Sequence, residues 1–356
     1  MKTNNASENN LISVIIPTFQ RSQFIKRAID SVLAQTYPNF KIYIYDNASL
    51  DQTRQIVQEY SDKRIEYYVH AKNIGLNNNY NFALSRVDTP FFVFLSDDDL
   101  FMPTFLEEAM KGFENYPNAG LFIGGMIYMD KKKRLLGAIV HQSLKSGHFS
   151  SEEILEEIVR GRFTALLNSM VFRNVVKAKI APFNDRIWSD VDFVIRAILE
   201  FSVILNPVSC TIYQLHSNIS HGAHISEYWD MKVAICNMIL KSDVVTSLKK
   251  HELEGLMNFE MRKFIYNMIY QRFVTKRFDE SLQGIEILKT HYCLNAREKI
   301  IQSFSRLLLK NTFLVYLFSA VASVKRWVMR FFHFRQLKKT IGKNDYLAFR
   351  NLIKKF

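Results

Sequence analysis

The sequence predicts an α/β fold in which a mostly parallel sheet is flanked by helices, with a helical C-terminal extension. Three observations support this prediction. Short apolar segments rich in β-branched and aromatic residues alternate with helical patterns between Leu11 and Asp99. Polar residues directly follow several of these segments, as they do at the carboxyl edge of an α/β sheet. From about Ser226 to Leu288, Met and aromatic residues recur at helical intervals.

The alternation of elements requires parallel strands joined by right-handed crossovers. The first strand is apolar and β-branched and stops at Pro17, and the helical pattern after it starts at Ser22, a residue type that favours helix N-caps. Gly124 and Gly125 inside a later strand indicate a bulge or the close approach of a ligand. We predict strands at 11–16, 40–45, 64–69, 91–95, 120–128, 163–172, 201–206 and 210–215, and helices at 22–33, near 56–60, and at 78–87, 104–116, 151–161 and from 190.

The most informative stretch is the fourth strand, in which five apolar residues lead directly into Asp97, Asp98 and Asp99. Three adjacent carboxylates are costly at the end of a buried strand unless a positive group binds them. The simplest inference is a divalent cation held by Asp97 and Asp99, and through it a phosphorylated substrate. The alternative is a solvated acidic turn before the helix that follows Pro103.

Other strand ends favour the binding site over the acidic turn. A lone acidic turn does not predict that neighbouring strands also deliver polar side chains to the same edge. The first strand is followed by Thr18 and Arg21, and the second ends at Asp46.

The charge of the chain is concentrated near its C-terminal end. The formal net charge is +13, and the segment from Ile301 to Phe356, with twelve Lys or Arg and one acid, contributes +11 of it. A nearly neutral body argues against a nucleic-acid groove. Around residues 324–334, basic and apolar side chains fall on opposite helical faces, which predicts a helix lying in an anionic membrane interface. The alternative is a helix packed on the core of the protein.

These patterns divide the chain into four predicted parts. The parts are a disordered tail at 1–10, an α/β domain at 11–222, a helical extension at 223–300 and a basic amphipathic membrane-associating segment at 301–356.

The sequence also predicts where the protein is located. Three widely spaced cysteines without metal-ligand spacing fit a reducing compartment. Together with the basic amphipathic segment, this leads us to expect a cytoplasmic protein that is peripheral on the inner face of the cell membrane.

Six motifs, in order, resemble the family 2 glycosyltransferases, which have the GT-A fold. The resemblance covers roughly Leu11 to Ser220, and each motif alone is weak. The motifs are SVIIPTF at 13–19, YDNASLDQT at 45–53, NIG at 73–75 with Asn81 downstream, LSDDD at 95–99, SDVD at 189–192 and YQLH at 213–216.

The resemblance implies roles for individual residues. Asp190 would be the catalytic base, and the metal, Mn²⁺ or Mg²⁺, would be bound by Asp99 and His216. Nucleotide-sugar binding would involve Pro17, Thr18, Phe19, Arg21, Asp46, Asn73, Asn81, Asp97 and Asp98. The sequence departs from the family pattern twice: Ser189 stands where a Glu is usual, which makes Asp192 a reserve candidate for the base, and Gln214 stands where an Arg is usual.

The implied activity is inverting transfer of a hexosyl or N-acetylhexosaminyl group from a nucleotide-sugar donor, with UDP favoured. The acceptor would be a hydroxyl of a glycan or of a polyprenyl-diphosphate-linked glycan in surface polysaccharide synthesis. Two other classes stay open. One is a metal-dependent nucleotidyltransferase, which would need a Gly-rich or basic loop for a triphosphate after the first strand, where this sequence has only Arg21. The other is a non-catalytic membrane-associated module that binds carbohydrate or sugar nucleotides. Nucleic acid is not an expected partner.

Overall fold

The computed structural model describes residues 10–130, 135–138, 144–163, 166–185, 188–214, 225–245, 247–274, 277–292 and 302. In these residues, ten strands form one sheet. The strands are β1 (Ile12–Thr18), β2 (Phe40–Asp46), β3 (Ile65–Val69), β4 (Phe91–Phe94), β5 (Leu100–Phe101), β6 (Leu121–Met129), β7 (Leu135–Ala138), β8 (Gly147–Phe149), β9 (Met170–Arg173) and β10 (Val203–Gln214).

Six of these ten strands run in the same direction, in line with the predicted parallel arrangement, and β5, β7, β8 and β9 run antiparallel to their neighbours. Its main path has the order β3-β2-β1-β4-β9-β6-β10-β5, with β7 paired to β6 and β8 paired to β10. Strands β1 to β4 are mutually parallel, and so are β6 and β10. Strand β9 runs antiparallel between β4 and β6, so those two strands point in the same direction. The carboxyl ends of β1, β2, β4 and β10 consequently meet at one edge of the sheet.

The helices connect these strands and pack on the faces of the sheet. Helix α1 buries Ile25, Ala28, Ile29 and Val32 against β1 and β2. The helices of the α/β part are α1 (Ser22–Leu33), α2 (Thr53–Gln58), α3 (Leu76–Ser85), α4 (Phe105–Asn115), α5 (Ser151–Val159), α6 (Asn174–Ile180) and α7 (Ser189–Glu200).

The N-terminal ends of α1 and α2 share one carboxylate. Ser22 is the first residue of α1 rather than its N-cap, which corrects the predicted role of this residue. Instead, Asp51 accepts hydrogen bonds from the Ser22 backbone N–H at 2.9 Å, the Thr53 backbone N–H at 3.0 Å and the Thr53 hydroxyl at 2.6 Å. A single Asp in the loop after β2 therefore satisfies the first turns of two helices.

Two predicted strands are one strand in the structure. The segments predicted at 201–206 and 210–215 form β10, whose pairing with β6 shifts register between Asn206 and Cys210. The residues opposite this shift are Gly124 and Gly125, so the glycines mark a bulge, as one of the two interpretations of the sequence proposed. The strand predicted at 163–172 is restricted to β9.

A second compact unit contains the helices that follow the α/β part. They are α8 (Ile225–Lys241), α9 (Ser247–Val274) and α10 (Phe278–His291). Their core includes Trp229, Ile265, Ile269, Phe278, Ile285 and Leu288. The Met and aromatic pattern of this region thus encodes packed helices, as the sequence predicted.

Candidate functional site

The acidic stretch that follows β4 lies at the carboxyl edge of the sheet. The Leu95 backbone N–H donates to the Ile15 carbonyl at 2.9 Å, so β4 keeps its contact with β1 up to the beginning of the acidic stretch. Asp97 is 8% exposed and Asp99 is 1% exposed, whereas Asp98 is only half-buried. The structure therefore buries two of the three carboxyl groups that the sequence places together.

Burial and mutual repulsion make these carboxyl groups weak acids. Burial, followed by the charge of Asp98, raises the pKa of Asp97 to about 7. The same two causes, in the same order, raise the pKa of Asp99 well above its ordinary value, although the Gln214 N–H and the Asn168 amide oppose this shift. A divalent cation would relieve both effects by supplying the missing positive charge.

Asp99 is held by two hydrogen bonds from distant parts of the chain. The Gln214 backbone N–H, at the end of β10, donates to its Oδ1 atom at 3.0 Å. The Asn168 side-chain amide donates to its Oδ2 atom. Each carboxylate oxygen can accept more than one hydrogen bond, so these two bonds fix the orientation of Asp99 and leave further lone pairs for a cation.

Arg21 lies beside the other two carboxylates. Its Nε atom is 3.9 Å from Asp97 Oδ1, and its Nη1 atom is 3.9 Å from Asp98 Oδ2. The side chain is 40% exposed, so these long contacts leave the guanidinium accessible to an anionic ligand. Thr18 also faces the cluster, since its hydroxyl and the Phe19 backbone N–H both act to lower the pKa of Asp97. The buried Thr18 hydroxyl is near this carboxyl but has no well-aligned hydrogen-bond partner among the described residues.

The loops after β1 and β2 form one connected unit that includes Pro17 to Phe19. Pro17 pairs with Tyr45, and Thr18 pairs with Asp46. The Asn47 N–H donates to the Thr18 carbonyl at 2.9 Å. Just beyond these positions, Gln20 and Ala48 have φ angles of 54° and 65°, which side chains other than Gly rarely adopt. Strained residues of this kind cluster at binding sites, where the surrounding structure holds them.

Asp46 is fully buried at the end of β2. Its Oδ1 atom accepts the Ser49 backbone N–H at 2.7 Å, and its Oδ2 atom accepts the Tyr67 hydroxyl at 2.5 Å. Burial, followed by this bond to Asp46, raises the pKa of Tyr67. Both oxygens of Asp46 are therefore engaged by the chain itself, and they shape the loop after β2.

The two asparagines predicted to bind nucleotide sugar make structural bonds here. Asn73 accepts the Asn47 side-chain amide and the Gly75 N–H, both at 2.8 Å. It thus links the loop after β3 to the loop after β2. Asn81 forms a pair of bonds with the backbone of Phe183: the Asn81 amide donates to the carbonyl at 2.9 Å, and the Phe183 N–H donates to Asn81 at 2.7 Å. In this structure Asn81 therefore fixes the segment before α7.

Asp190 lies in the first turn of α7, at the same end of the sheet. It is exposed to solvent, yet surrounding protein atoms raise the pKa of its carboxyl by desolvation, which is the combination expected on the wall of a cleft. Opposing this shift are hydrogen bonds from the backbone N–H groups of Val191 and of Asp190 itself. An accessible carboxyl group with a raised pKa has the properties of a general base.

Two tyrosines are influenced by both Asp190 and the acidic stretch. Burial, followed by the charges of Asp190 and Asp97, raises the pKa of Tyr80. For Tyr213, burial is again the first cause, and the charges of Asp99, Asp98 and Asp190 add to it. Carboxylates from α7 and from the end of β4 therefore both lie close enough to these two hydroxyl groups to raise their pKa values.

Ser189 and Asp192, which are close to Asp190 in the sequence, hold α7 in place. The Ser189 hydroxyl donates to Asn77 Oδ1 at 2.7 Å, which ties the beginning of α7 to α3. Asp192 is buried, and the Arg196 guanidinium donates to it at 2.8 Å. Arg196 also donates to the Pro182 carbonyl at 2.8 Å. Asp192, the reserve candidate for the base, is therefore engaged within its own helix.

Three contributions to this site were not predicted from the sequence. They are the Asn168 amide on Asp99, the Tyr67 hydroxyl on Asp46, and the Arg27 guanidinium, whose Nη1 atom donates to Gln214 Oε1 at 3.2 Å. The Tyr67 contact could have been found from the alternation of side chains along β3, because Tyr67 lies on the same face as Val69, which pairs with Asp46. Asn168 and Arg27 belong to no local sequence motif that would indicate their contacts.

The donor set fits a divalent cation that also needs ligands from a substrate. In the described part of the chain, no three His, Cys, Asp or Glu side chains come together as a cation cage. Mg²⁺ and Mn²⁺ are commonly held by one or two carboxylates together with substrate phosphates. The carboxylates at 97–99 provide such a partial set.

Two predictions lie outside the described residues: His216 as a metal ligand, and the amphipathic helix within 301–356. Among the described helices, none combines the length and the apolar character needed to span a membrane.

Comparison with solved structures identifies the class of fold. Staphylococcus aureus TarS (residues 1–349), solved with UDP, superposes with a TM-score of 0.58 at 18% identity, over 77% of this chain and 78% of that one. The mannosyltransferase PcManGT from Pyrobaculum calidifontis, solved with GDP-Man and Mn²⁺, gives 0.53 at 14% identity, over 89% and 86%. The α/β part therefore has the GT-A fold, as predicted.

The family follows from the sequence match. Residues 13–173 match the family model described as glycosyl transferase family 2, and this segment belongs to that family. The segment includes five of the proposed site positions at the strand ends, namely Thr18, Arg21, Asp46, Asp97 and Asp99.

Two named relatives act on lipid-linked sugars. A Campylobacter jejuni GalNAc(5)-diNAcBac-PP-undecaprenol beta-1,3-glucosyltransferase is 29% identical over 168 residues, which is 46% of this chain and 53% of that protein. The Escherichia coli UDP-Glc:alpha-D-GlcNAc-diphosphoundecaprenol beta-1,3-glucosyltransferase WfgD is 35% identical over 100 residues, which is 28% of this chain and 40% of that protein. The chain thus spans about half of these relatives or less.

Proposed function

We propose that this protein is an inverting glycosyltransferase that moves a hexosyl or N-acetylhexosaminyl group from a nucleotide-diphosphate sugar, with UDP favoured, to a hydroxyl of a glycan or lipid-linked acceptor. The observation that supports the proposal is that carboxylates from the end of β4 and Asp190 from α7 both raise the pKa values of the same two residues, Tyr80 and Tyr213. Transfer to a hydroxyl needs both an anionic cluster for a cation and a separate base.

Donor binding uses the loops after β1 and β2. Asp46, at the end of β2, is the proposed acceptor for an N–H group of the base. Thr18 offers the nucleoside its hydroxyl, which has no hydrogen-bond partner among the described residues. Arg21 is accessible to the phosphates. Mg²⁺ or Mn²⁺ bound at Asp99, with His216 as the further predicted ligand, would supply Lewis-acid stabilisation of the diphosphate charge.

The chemical step assigned to this chain is proton removal. The Asp190 carboxylate accepts the proton of the acceptor hydroxyl as the hydroxyl oxygen bonds to the anomeric carbon. The bond from that carbon to the phosphate oxygen breaks on the opposite side, and the nucleoside diphosphate leaves. The configuration at the anomeric carbon is therefore inverted. Desolvation raises the pKa of Asp190, and this makes it a stronger base than an ordinary aspartate.

A transfer assay tests this proposal. The full chain is incubated with Mn²⁺, a panel of UDP-sugars and undecaprenyl-diphosphate-linked glycans, and both released UDP and extended product are measured. We expect transfer from at least one donor, with inverted linkage. Donor binding without transfer to any acceptor would instead support a non-catalytic sugar-nucleotide module.

Membrane association is the second part of the proposal. It rests on the +11 charge of residues 301–356 and on the lipid-linked substrates named for two relatives. Each basic residue near an anionic surface contributes roughly 1 kcal/mol of attraction. We place the protein on the cytoplasmic face of the membrane, where a peripheral enzyme meets lipid-linked acceptors.

A further inference from the structure

Arg27 is an unusual cation in the candidate site. It lies on α1, next to the apolar residues that this helix buries, and its side chain is only partly exposed. Burial lowers the pKa of its guanidinium. Among the described residues, its one hydrogen bond is to the neutral amide oxygen of Gln214, and no carboxylate lies within ion-pair distance. Its Nε–H is buried and has no acceptor in the part of the chain that the structure describes.

Such an arrangement is costly unless a further partner arrives. A buried guanidinium normally forms bidentate bonds with a carboxylate or a phosphate. An unsatisfied buried N–H also carries a desolvation cost. Within the described residues, Arg27 has neither a carboxylate partner nor a full set of acceptors.

The hydrogen bonds of Gln214 connect Arg27 to Asp99. The Gln214 side-chain amide donates to the Asp130 carbonyl at 3.1 Å, and the backbone N–H of the same residue donates to Asp99 Oδ1 at 3.0 Å. Gln214 thus connects Arg27 to Asp99, the predicted metal ligand. Arg21 lies beside Asp97 and Asp98. Arg27 is thus a second arginine connected to the acidic cluster, through Gln214 and Asp99.

We propose that Arg27 is a phosphate-binding residue that recognises the terminal phosphate of the nucleoside diphosphate, with Gln214 as its positioning residue. This inference rests on the proposed function. The terminal phosphate of the leaving group gains negative charge as the glycosidic bond breaks, and a cation already in place stabilises that charge most effectively. The alternative is that Arg27 only offsets the charge of the aspartates, as a structural group.

The two roles differ in a binding experiment with matched nucleotides. Dissociation constants for UDP and UMP, with Mn²⁺ present, are measured by calorimetry for the wild type, Arg27→Gln and Arg27→Lys, and the GDP/GMP and dTDP/dTMP pairs are run in parallel. Lys26→Gln is the matched control, because Lys26 is the neighbouring cation on α1 and its side chain is 60% exposed.

We expect Arg27→Gln to weaken diphosphate binding roughly 10- to 100-fold and monophosphate binding less than about threefold, as for loss of a charge-assisted hydrogen bond. Arg27→Lys should lie between the wild type and Arg27→Gln, since it keeps the charge but not the planar fork. Lys26→Gln should match the wild type.

Three results would overturn the assignment. An equal loss for diphosphate and monophosphate, or no loss for either, would show that Arg27 is structural while the nucleotide site stands. A wild type that binds no nucleoside diphosphate would reject the proposed function and this inference together. If Arg27→Gln does not fold, Arg27→Lys decides: an unchanged ratio of the two dissociation constants would contradict the proposal.

Discussion

Removing the charge of Asp97 should stabilise the metal-free protein at alkaline pH. Burial raises the pKa of this carboxyl from an ordinary 3.8 to about 7 in the folded state. In an unfolded chain the group ionises near its ordinary value. Between these two pH values the unfolded state loses a proton that the folded state keeps, so stability falls as the pH rises and levels off above about pH 7.

The size of the effect follows from the interval between the two pKa values. At roughly 1.4 kcal/mol for each pH unit, the full loss is about 4 kcal/mol. From pH 5 to pH 8, where the wild type crosses the upper part of the interval, we expect Asp97→Asn to gain about 3 kcal/mol relative to the wild type. Asp99 remains in both proteins, so its own titration largely cancels in the difference.

Urea unfolding in the presence of EDTA measures this difference at pH 5 and at pH 8. Asp88→Asn is the control, since Asp88 is an exposed acid in the same compact unit. It should follow the wild type at both pH values. If Asp97→Asn and the wild type keep the same difference in free energy of unfolding at both pH values, to within about 0.5 kcal/mol, then Asp97 is not held in a desolvated site and the reasoning is wrong.

Three further results are expected. Asp190→Asn should lower kcat about 10²- to 10⁴-fold in a transfer assay while the dissociation constant for UDP stays unchanged, because it removes the base only; a wild-type rate would exclude this role. Asp51→Ala should lower the free energy of unfolding by about 1–2 kcal/mol in urea titrations, since the carboxylate caps α1 and α2, and an unchanged midpoint would contradict that. Replacing Lys338, Lys339 and Lys343 by Gln should weaken cosedimentation with anionic vesicles, by roughly 1 kcal/mol for each residue, and leave binding to neutral vesicles unaffected.

Much of the fold could be predicted because its signals are local. Alternating apolar strands and helical patterns located β1 to β4 and the helices between them, and the parallel order followed from the crossover rule. The antiparallel insertion of β9 between β4 and β6 could not be predicted, because strand order depends on contacts that a strand pattern does not encode. The single strand β10 was predicted as two, since its bulge interrupts the apolar pattern.

The candidate site was predictable where its residues follow a strand directly. Thr18, Asp46 and Asp97 are such residues, and the structure places them at one edge of the sheet. Asn168 and Arg27 could not be predicted, because each reaches its partner through tertiary structure: Asn168 contacts Asp99, 69 positions earlier, and Arg27 contacts Gln214, 187 positions later. Long-range hydrogen bonds of this kind leave no periodic signal in a sequence.

The most direct test of the central claim, that the carboxylates at 97–99 bind a nucleoside diphosphate through a divalent cation, is a thermal-shift titration of the full chain with UDP, GDP and dTDP in Mn²⁺ and in EDTA. A bound ligand stabilises the folded state by about 2.7 kcal/mol at a concentration 100-fold above its dissociation constant. We predict a rise in Tm for at least one diphosphate in Mn²⁺, absent in EDTA and absent in Asp99→Asn. A rise of equal size in EDTA, or in Asp99→Asn, would contradict the claim.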